Sequence, residues 1–309
     1  YYDDLTGLPN RSLLIQHLDR ILKSAIRHQT TTAVIVFGIN RFDKVLESLD
    51  HDSVENLIKI IAERVKNPLR ESDVLSHQAY SGESGEEPNY QQLTAKLRND
   101  EYVIVLPEIS NPQAASVFLL RLMEQFKNAF QLSDQIIYLS TSAGISLAPI
   151  DGNSTNQLIK FAEIARGFVE NKEVGGFRFF KQELNDQVTR RSLLVNDLRK
   201  ALKQETLEVH YQPKIRLLDN ALVGVEALCR WNHPTLGAIS PVEFIEIAEA
   251  EGLIAELGMW VLKTACNQSL EWKGEFDNEF IVSVNISPQQ LVDEEAMKQI
   301  FEYVSISPI

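Results

Sequence analysis

Residues 225–230, Val-Glu-Ala-Leu-Cys-Arg, set a carboxylate and a guanidinium four positions apart in a short run read as a strand. Strand side chains alternate between faces, so Glu226, Leu228 and Arg230 share one face and Val225, Ala227 and Cys229 the other. The first face offers an oxygen ligand for a hard cation, or a proton acceptor, on the same side as a group that grips phosphate through two N–H bonds. The second face is apolar and suited to lie under helices. Two other runs divide the same way. Glu208, His210 and Gln212 oppose Val209 and Tyr211, while Ser283, Asn285 and Ser287 oppose Val282, Val284 and Ile286. Polar groups gathered toward the carboxyl ends of successive strands describe the mouth where barrel enzymes build active sites. Buried polar groups are costly without partners, so such a mouth is expected to be wet or metal-filled.

The elements that must position these groups follow in order. Residues 192–202 read as a helix, 207–212 and 222–230 as strands, 256–272 as a helix and 280–287 as a third strand. Between them, Ser240-Pro241-Val242-Glu243 has the form of a capping box with Pro at the first helical position, opening a helix that ends at Gly252. That helix is expected to carry Phe244, Ile245, Ile247 and Ala248 inward. Strand–helix–strand repeats with short apolar strands predict the start of a (β/α)8 TIM-type barrel over 192–309. Residues 182–191 read as a linker, and 1–181 as a separate α+β domain. In that first domain, strands are expected at 32–39, 93–97, 102–106 and 136–147, and helices from 42 toward 65, at 113–129 and at 156–170. Residues 76–90 read as an exposed loop. The fold class is therefore α/β throughout.

Composition limits the chemistry. The chain has 309 residues, 44% hydrophobic and 24% charged, as in an ordinary globular protein. A net charge of -13 argues against duplex nucleic acid, whose binding needs clustered Lys and Arg. A small anion could still bind beside a local cation and a divalent metal. Cys229 and Cys266 have no metal-type spacing, pack as small apolar groups and point to a reduced, cytoplasmic setting. No run approaches about 18 apolar residues, and Tyr1-Tyr2-Asp3-Asp4 lacks the basic and apolar regions of a signal peptide. Segments outside this chain could still tether a longer parent to the inner membrane.

Tyr211-Gln212-Pro213, Glu226-Ala227-Leu228-Cys229-Arg230-Trp231, His233-Pro234, Ser240-Pro241-Val242-Glu243-Phe244-Ile245 and Val284-Asn285-Ile286-Ser287 stand in an order that resembles the EAL family of cyclic di-GMP phosphodiesterases. The resemblance implies that Glu226 and Asn285 ligate Mg²⁺ or Mn²⁺, Glu226 serving catalysis and Asn285 also lying at the substrate. It implies further that Arg230 binds a phosphate of cyclic di-GMP, that Gln212 hydrogen-bonds the ligand, and that Leu228 packs near a guanine or ribose. The implied reaction is two-metal hydrolysis to linear pGpG. His210 and His233 are read as structural, Trp231 as core packing, and Asp293, Glu294 and Glu295 as an exposed first helical turn. The family's later ligands lie in strands beyond the third, so the chain is expected to be part of a longer protein, inactive by itself.

Asp4-Leu5-Thr6-Gly7-Leu8-Pro9-Asn10-Arg11 resembles the opening of GGDEF diguanylate cyclases, and Arg98-Asn99-Asp100-Glu101-Tyr102 stands where that family has Gly-Gly-Asp-Glu-Phe. The departures are informative. Arg98 and Asn99 put side chains where glycines admit a nucleotide phosphate. Gly38 takes the place of a metal-binding aspartate, Leu46 and Glu55 those of guanine-contacting groups, and Asn89 and Gln92 those of an inhibitory Arg and Asp. Asp100 and Glu101 are expected to be solvated. The first domain therefore reads as a degenerate cyclase, serving as a regulatory module that could bind GTP or hold a homodimer. A receptor that binds cyclic di-GMP without cleaving it, and a protein-interaction scaffold, are the alternative readings of the whole.

Overall fold

The structure, a computed structural model, describes residues 1–66, 92–132, 135–170, 175–272 and 280–306. The loop expected at 76–90 and the position of Asn89 lie outside the described residues. The chain forms two compact units, Tyr1–Asp186 and Gln187–Ile309.

In the first unit the order is α1 (Arg11–His28), β1 (Thr31–Ile39), α2 (Phe42–Leu46), α3 (His51–Lys66), β2 (Leu93–Arg98), β3 (Glu101–Ile109), α4 (Pro112–Lys127), β4 (Phe130–Leu132), β5 (Gln135–Ile137), β6 (Thr141–Ala148), α5 (Thr155–Glu170) and β7 (Gly176–Phe179). The sheet runs β2-β3-β1-β6-β7, with β1 antiparallel to both neighbours and β7 parallel to β6. The β-branched run of β1 is buried because helices cover both its faces. Ala33, Ile35, Phe37 and Ile39 pack with Leu57 and Ile61 of α3 and Leu119 and Leu122 of α4. Val34 and Val36 pack oppositely, with Leu14 and Leu18 of α1 and Leu158 and Ile159 of α5.

Two expected elements divide. The helix from residue 42 breaks after α2, and Asp50 restarts it by accepting the Ser53 amide at 2.8 Å, an alternative the short Asp side chain offers the backbone. The strand over 136–147 separates into β5, which pairs with β4, and β6 in the main sheet.

The unit boundary falls within α6 (Gln182–Gln204), so the residues read as a linker are helical. The second unit continues with β8 (Glu208–Ile215), β9 (Leu222–His233), β10 (Gly237–Ile239), α7 (Pro241–Ala250), α8 (Ile254–Glu271), β11 (Ile281–Val284), α9 (Pro288–Val292) and α10 (Glu294–Ile306). Its core joins Leu194 and Leu198 of α6, Trp231 of β9, Phe244 and Ile247 of α7, and Leu257 and Val261 of α8. The sheet is open among the described residues, with β9 bonded to β8 and β11. The β9–β11 pair is parallel, as a barrel requires, but β8 runs antiparallel to β9.

Gly224 of β9 stands between Lys214 of β8 and Ile281 of β11. A Cβ at Gly224 would lie 2.2 Å from the Ile281 carbonyl oxygen, against backbone rather than a movable side chain. Gly224→Ala is expected to lower this unit's stability by roughly 1–3 kcal/mol, the usual cost of overpacking. A lower urea midpoint for the second unit checks this.

Candidate functional site

Across the open sheet of the second unit, Gln212, Glu226 and Ser283 stand in register on β8, β9 and β11. Asn285 follows the last paired residue of β11, and its Nδ2 donates to Glu226 Oε1 at 2.7 Å. Glu226 is half-buried and Asn285 exposed, so the pair lies open at one side. Lys214, which sequence reasoning did not single out, sends its Nζ past side-chain-less Gly224 to donate to Ser283 Oγ at 2.7 Å. The signal for it was the same alternation that marked Gln212, extended by one step. Leu228 lies half-buried opposite His210, and Arg230 opposite Glu208.

The antiparallel course of β8 corrects the expectation that carboxyl ends gather. Gln212, near the end of β8, meets Glu226 in the first half of β9, while Arg230 meets the start of β8. Glu226 and Arg230 share a face but stand about 13 Å apart at the rise of a strand. The Arg230 guanidinium folds onto its own strand, Nη1 donating to the Cys229 carbonyl at 2.9 Å.

Glu226 and Asn285 each carry an oxygen of the kind that a hard cation of the Mg²⁺ or Mn²⁺ class takes, and their side chains meet through one hydrogen bond. Asn285 now turns its nitrogen to the carboxylate, so serving as a ligand requires the amide to rotate and offer Oδ1. Among the described residues no cluster of three or more His, Cys, Asp or Glu is gathered for a metal. By themselves Glu226 and Asn285 offer two ligands, fewer than a hard divalent cation takes.

Surrounding groups make contacts of their own. His233 is buried and shares a hydrogen bond with Asp197 at 3.0 Å, while His210 meets exposed Glu208 at 3.2 Å. Trp231 is 3% exposed within the core. Cys229 and Cys266 are unpaired, and burial pushes the Cys229 thiol up to about 11, away from reactivity. Asp293, Glu294 and Glu295 are exposed. The capping box expected at Ser240 does not form: Ser240 makes no side-chain cap, and Glu243 instead receives Arg190 Nε and Nη2 at 2.8 and 3.0 Å. A capping box does form at Ser287, where the third strand was expected to continue.

In the first unit Asp3 organises the opening turn by accepting the Thr6 amide at 2.9 Å, the Thr6 hydroxyl at 2.7 Å and Lys96 Nζ at 3.1 Å. Burial opposes ionisation of Asp3, yet these bonds outweigh it and hold its carboxyl below the ordinary range. Asn10 then caps α1.

The hairpin turns at Asn99 and Asp100, with Arg98 opposite Glu101. Contrary to the expectation of a solvated acid, Glu101 is buried, 6% exposed. It accepts Arg166 Nη1 at 2.9 Å, and burial raises its carboxyl above the usual range although Arg166 pulls it down. Arg166 also donates to Glu170 at 3.0 Å and to Ser142 Oγ at 3.2 Å. Its guanidinium fills the space beside Gly38, where a Cβ would lie 2.2 Å from the guanidinium carbon. Leu46 packs against the core, and Glu55 pairs with His51 and Lys59 on the surface. Gln92 bonds Thr94.

Tyr102 is 0% exposed, and its hydroxyl finds no hydrogen-bond partner among the described residues. Tyr102→Phe is therefore expected to raise the first unit's stability by about 1 kcal/mol, because an unsatisfied buried donor costs on that order. A higher urea midpoint would show it.

The family model described as diguanylate cyclase, GGDEF domain, matches residues 1–83 and 87–173, and that described as EAL domain matches 195–308. The bifunctional diguanylate cyclase/cyclic di-GMP phosphodiesterase MucR of Pseudomonas aeruginosa is 32% identical over 94% of this chain and 39% of its own length. The cyclic di-GMP phosphodiesterase NbdA of the same organism is 33% identical over 95% of this chain and 36% of its own. The solved GGDEF domain of TpbB (YfiN) from P. aeruginosa has a TM-score of 0.52 at 24% identity, covering 61% of this chain and 99% of that one. That likeness concerns fold alone. The chain thus spans less than half the length of these curated relatives.

Proposed function

The chain belongs to the GGDEF family and carries an EAL domain in tandem with it, and from that premise we propose that the intact protein hydrolyses cyclic di-GMP to pGpG. The observation that carries this reading is the 2.7 Å meeting of Asn285 with Glu226 across neighbouring strands. A scaffold needs neither group, and a receptor needs no cation ligands. Glu226 and Asn285 hold a divalent ion, Mg²⁺ or Mn²⁺, completed by ligands from elsewhere in the intact protein. When bound, the ion supplies Lewis acidity at the phosphodiester. Arg230 swings from the Cys229 carbonyl to take a ligand phosphate through paired N–H bonds. Gln212, exposed and level with Glu226, hydrogen-bonds the dinucleotide, and Leu228 gives its sugar or base an apolar surface.

The first domain acts as a regulatory module rather than a cyclase. Support comes from Arg166, which neutralises Glu101 and fills the space beside Gly38. Any GTP it takes acts as an effector, and the domain is a place for homodimer contacts. Among the described residues no helix is long and apolar enough to cross a membrane; the domains work in the cytoplasm, where a tether outside this chain could hold them.

The test is incubation of the full-length protein with cyclic di-GMP and Mg²⁺ or Mn²⁺, followed by chromatography. Linear pGpG that ceases to form with a chelator is the expected result. Bound but uncleaved cyclic dinucleotide overturns it in favour of a receptor, and absence of binding in favour of a scaffold.

A further inference from the structure

Asn285 poses a mechanical problem. It is exposed, it lies beyond the last paired residue of β11, and yet its amide meets Glu226. An exposed side chain on a free strand end samples several rotamers, so something must fix the backbone beneath it. Two residues on, Ser287 Oγ donates to Glu249 Oε1 of α7 at 2.6 Å, a short bond to a carboxylate. The same hydroxyl accepts the Gln289 amide at 3.2 Å, and Gln290 Oε1 accepts the Ser287 amide at 3.1 Å. Gln290 is itself 3% exposed and lies against α8 at Gly258, where a Cβ would fall 2.2 Å from its Nε2. Thus the segment Asn285–Ile286–Ser287 is tied at its far end to two helices.

We infer that Glu249 is a positioning residue for Asn285, acting through Ser287. The carboxylate fixes the Ser287 hydroxyl, that hydroxyl and Gln290 set the first turn of α9, and the turn fixes the direction in which Asn285 leaves β11. Glu249 bonds Ser287 rather than Glu226 or Asn285, so its effect is one of orientation, of the kind outer groups exert on metal ligands. The inference rests on the reading that Glu226 and Asn285 hold the divalent ion.

The experiment uses full-length protein in wild-type form and as Glu249→Ala, Glu249→Gln, Ser287→Ala and Glu226→Gln. One arm, without metal, follows the Asn285 side-chain amide by NMR. The other titrates Mn²⁺ by electron paramagnetic resonance. Glu249→Ala and Ser287→Ala are expected to shift the Asn285 amide signal and weaken Mn²⁺ binding about tenfold, within the range for orienting groups. Glu249→Gln keeps an acceptor oxygen and is expected to restore most of both. An Asn285 signal and Mn²⁺ affinity unchanged in Glu249→Ala overturn the inference. If Glu226→Gln binds Mn²⁺ like wild type while Glu249→Ala still moves the Asn285 signal, the cation site is refuted and the latch on Asn285 stands.

Discussion

Glu226→Gln in the full-length protein is expected to reduce cyclic di-GMP hydrolysis by about a thousandfold or more, equivalent to roughly 4 kcal/mol of transition-state stabilisation. The substitution is nearly isosteric and leaves an oxygen to accept from Asn285, so the local hydrogen bond at 2.7 Å survives. What disappears is the negative charge that makes this oxygen a ligand for a hard cation, and a bound ion contributes several kcal/mol at a phosphodiester. Gln212 and Arg230 are untouched, so dinucleotide binding should fall much less than turnover. Single-turnover kinetics beside equilibrium binding separate the two. Loss of binding in proportion to rate would instead make Glu226 a substrate contact.

Arg166→Ala is expected to destabilise the first unit by about 3–5 kcal/mol, the range for removing one partner of a buried ion pair. Glu101 and Arg166 are 6% and 7% exposed, so the orphaned carboxylate keeps little access to water. Ser142 and Glu170 lose a donor at the same time. Protonation of Glu101, whose carboxyl burial already raises, relieves part of this cost as pH falls. The loss should therefore be larger at neutral than at acidic pH. Urea denaturation of the first unit at two pH values measures it, and a change within 0.5 kcal/mol, as for an exposed surface substitution, would contradict the assigned contact.

The period-2 pattern that put Glu226, Leu228 and Arg230 on one face was legible because strand geometry leaves no choice in it. Strand direction is another matter. A parallel partner needs a crossover of about a dozen residues or more, and the connection between β8 and β9 is a short turn closed by the Arg216 amide on the Ala221 carbonyl at 2.8 Å. That shortness signalled a hairpin, and the barrel expectation hid it. The two Ser-Pro-x-Glu/Gln runs are locally alike, yet only Ser287 is boxed, because Arg190, 53 residues away in sequence, takes Glu243. Arg166 lies 65 residues from Glu101 and left no local trace. Its one sign was Gly38, a residue that weakens an otherwise β-branched strand and marks close approach by something else.

The most direct measurement is an anomalous-scattering map from crystals of the full-length protein grown with Mn²⁺ and cyclic di-GMP. A manganese peak is expected about 2.2 Å from a Glu226 carboxylate oxygen and from Asn285 Oδ1, near coordination distances for such cations. Manganese bound elsewhere, with Asn285 Nδ2 still donating to Glu226, would contradict it.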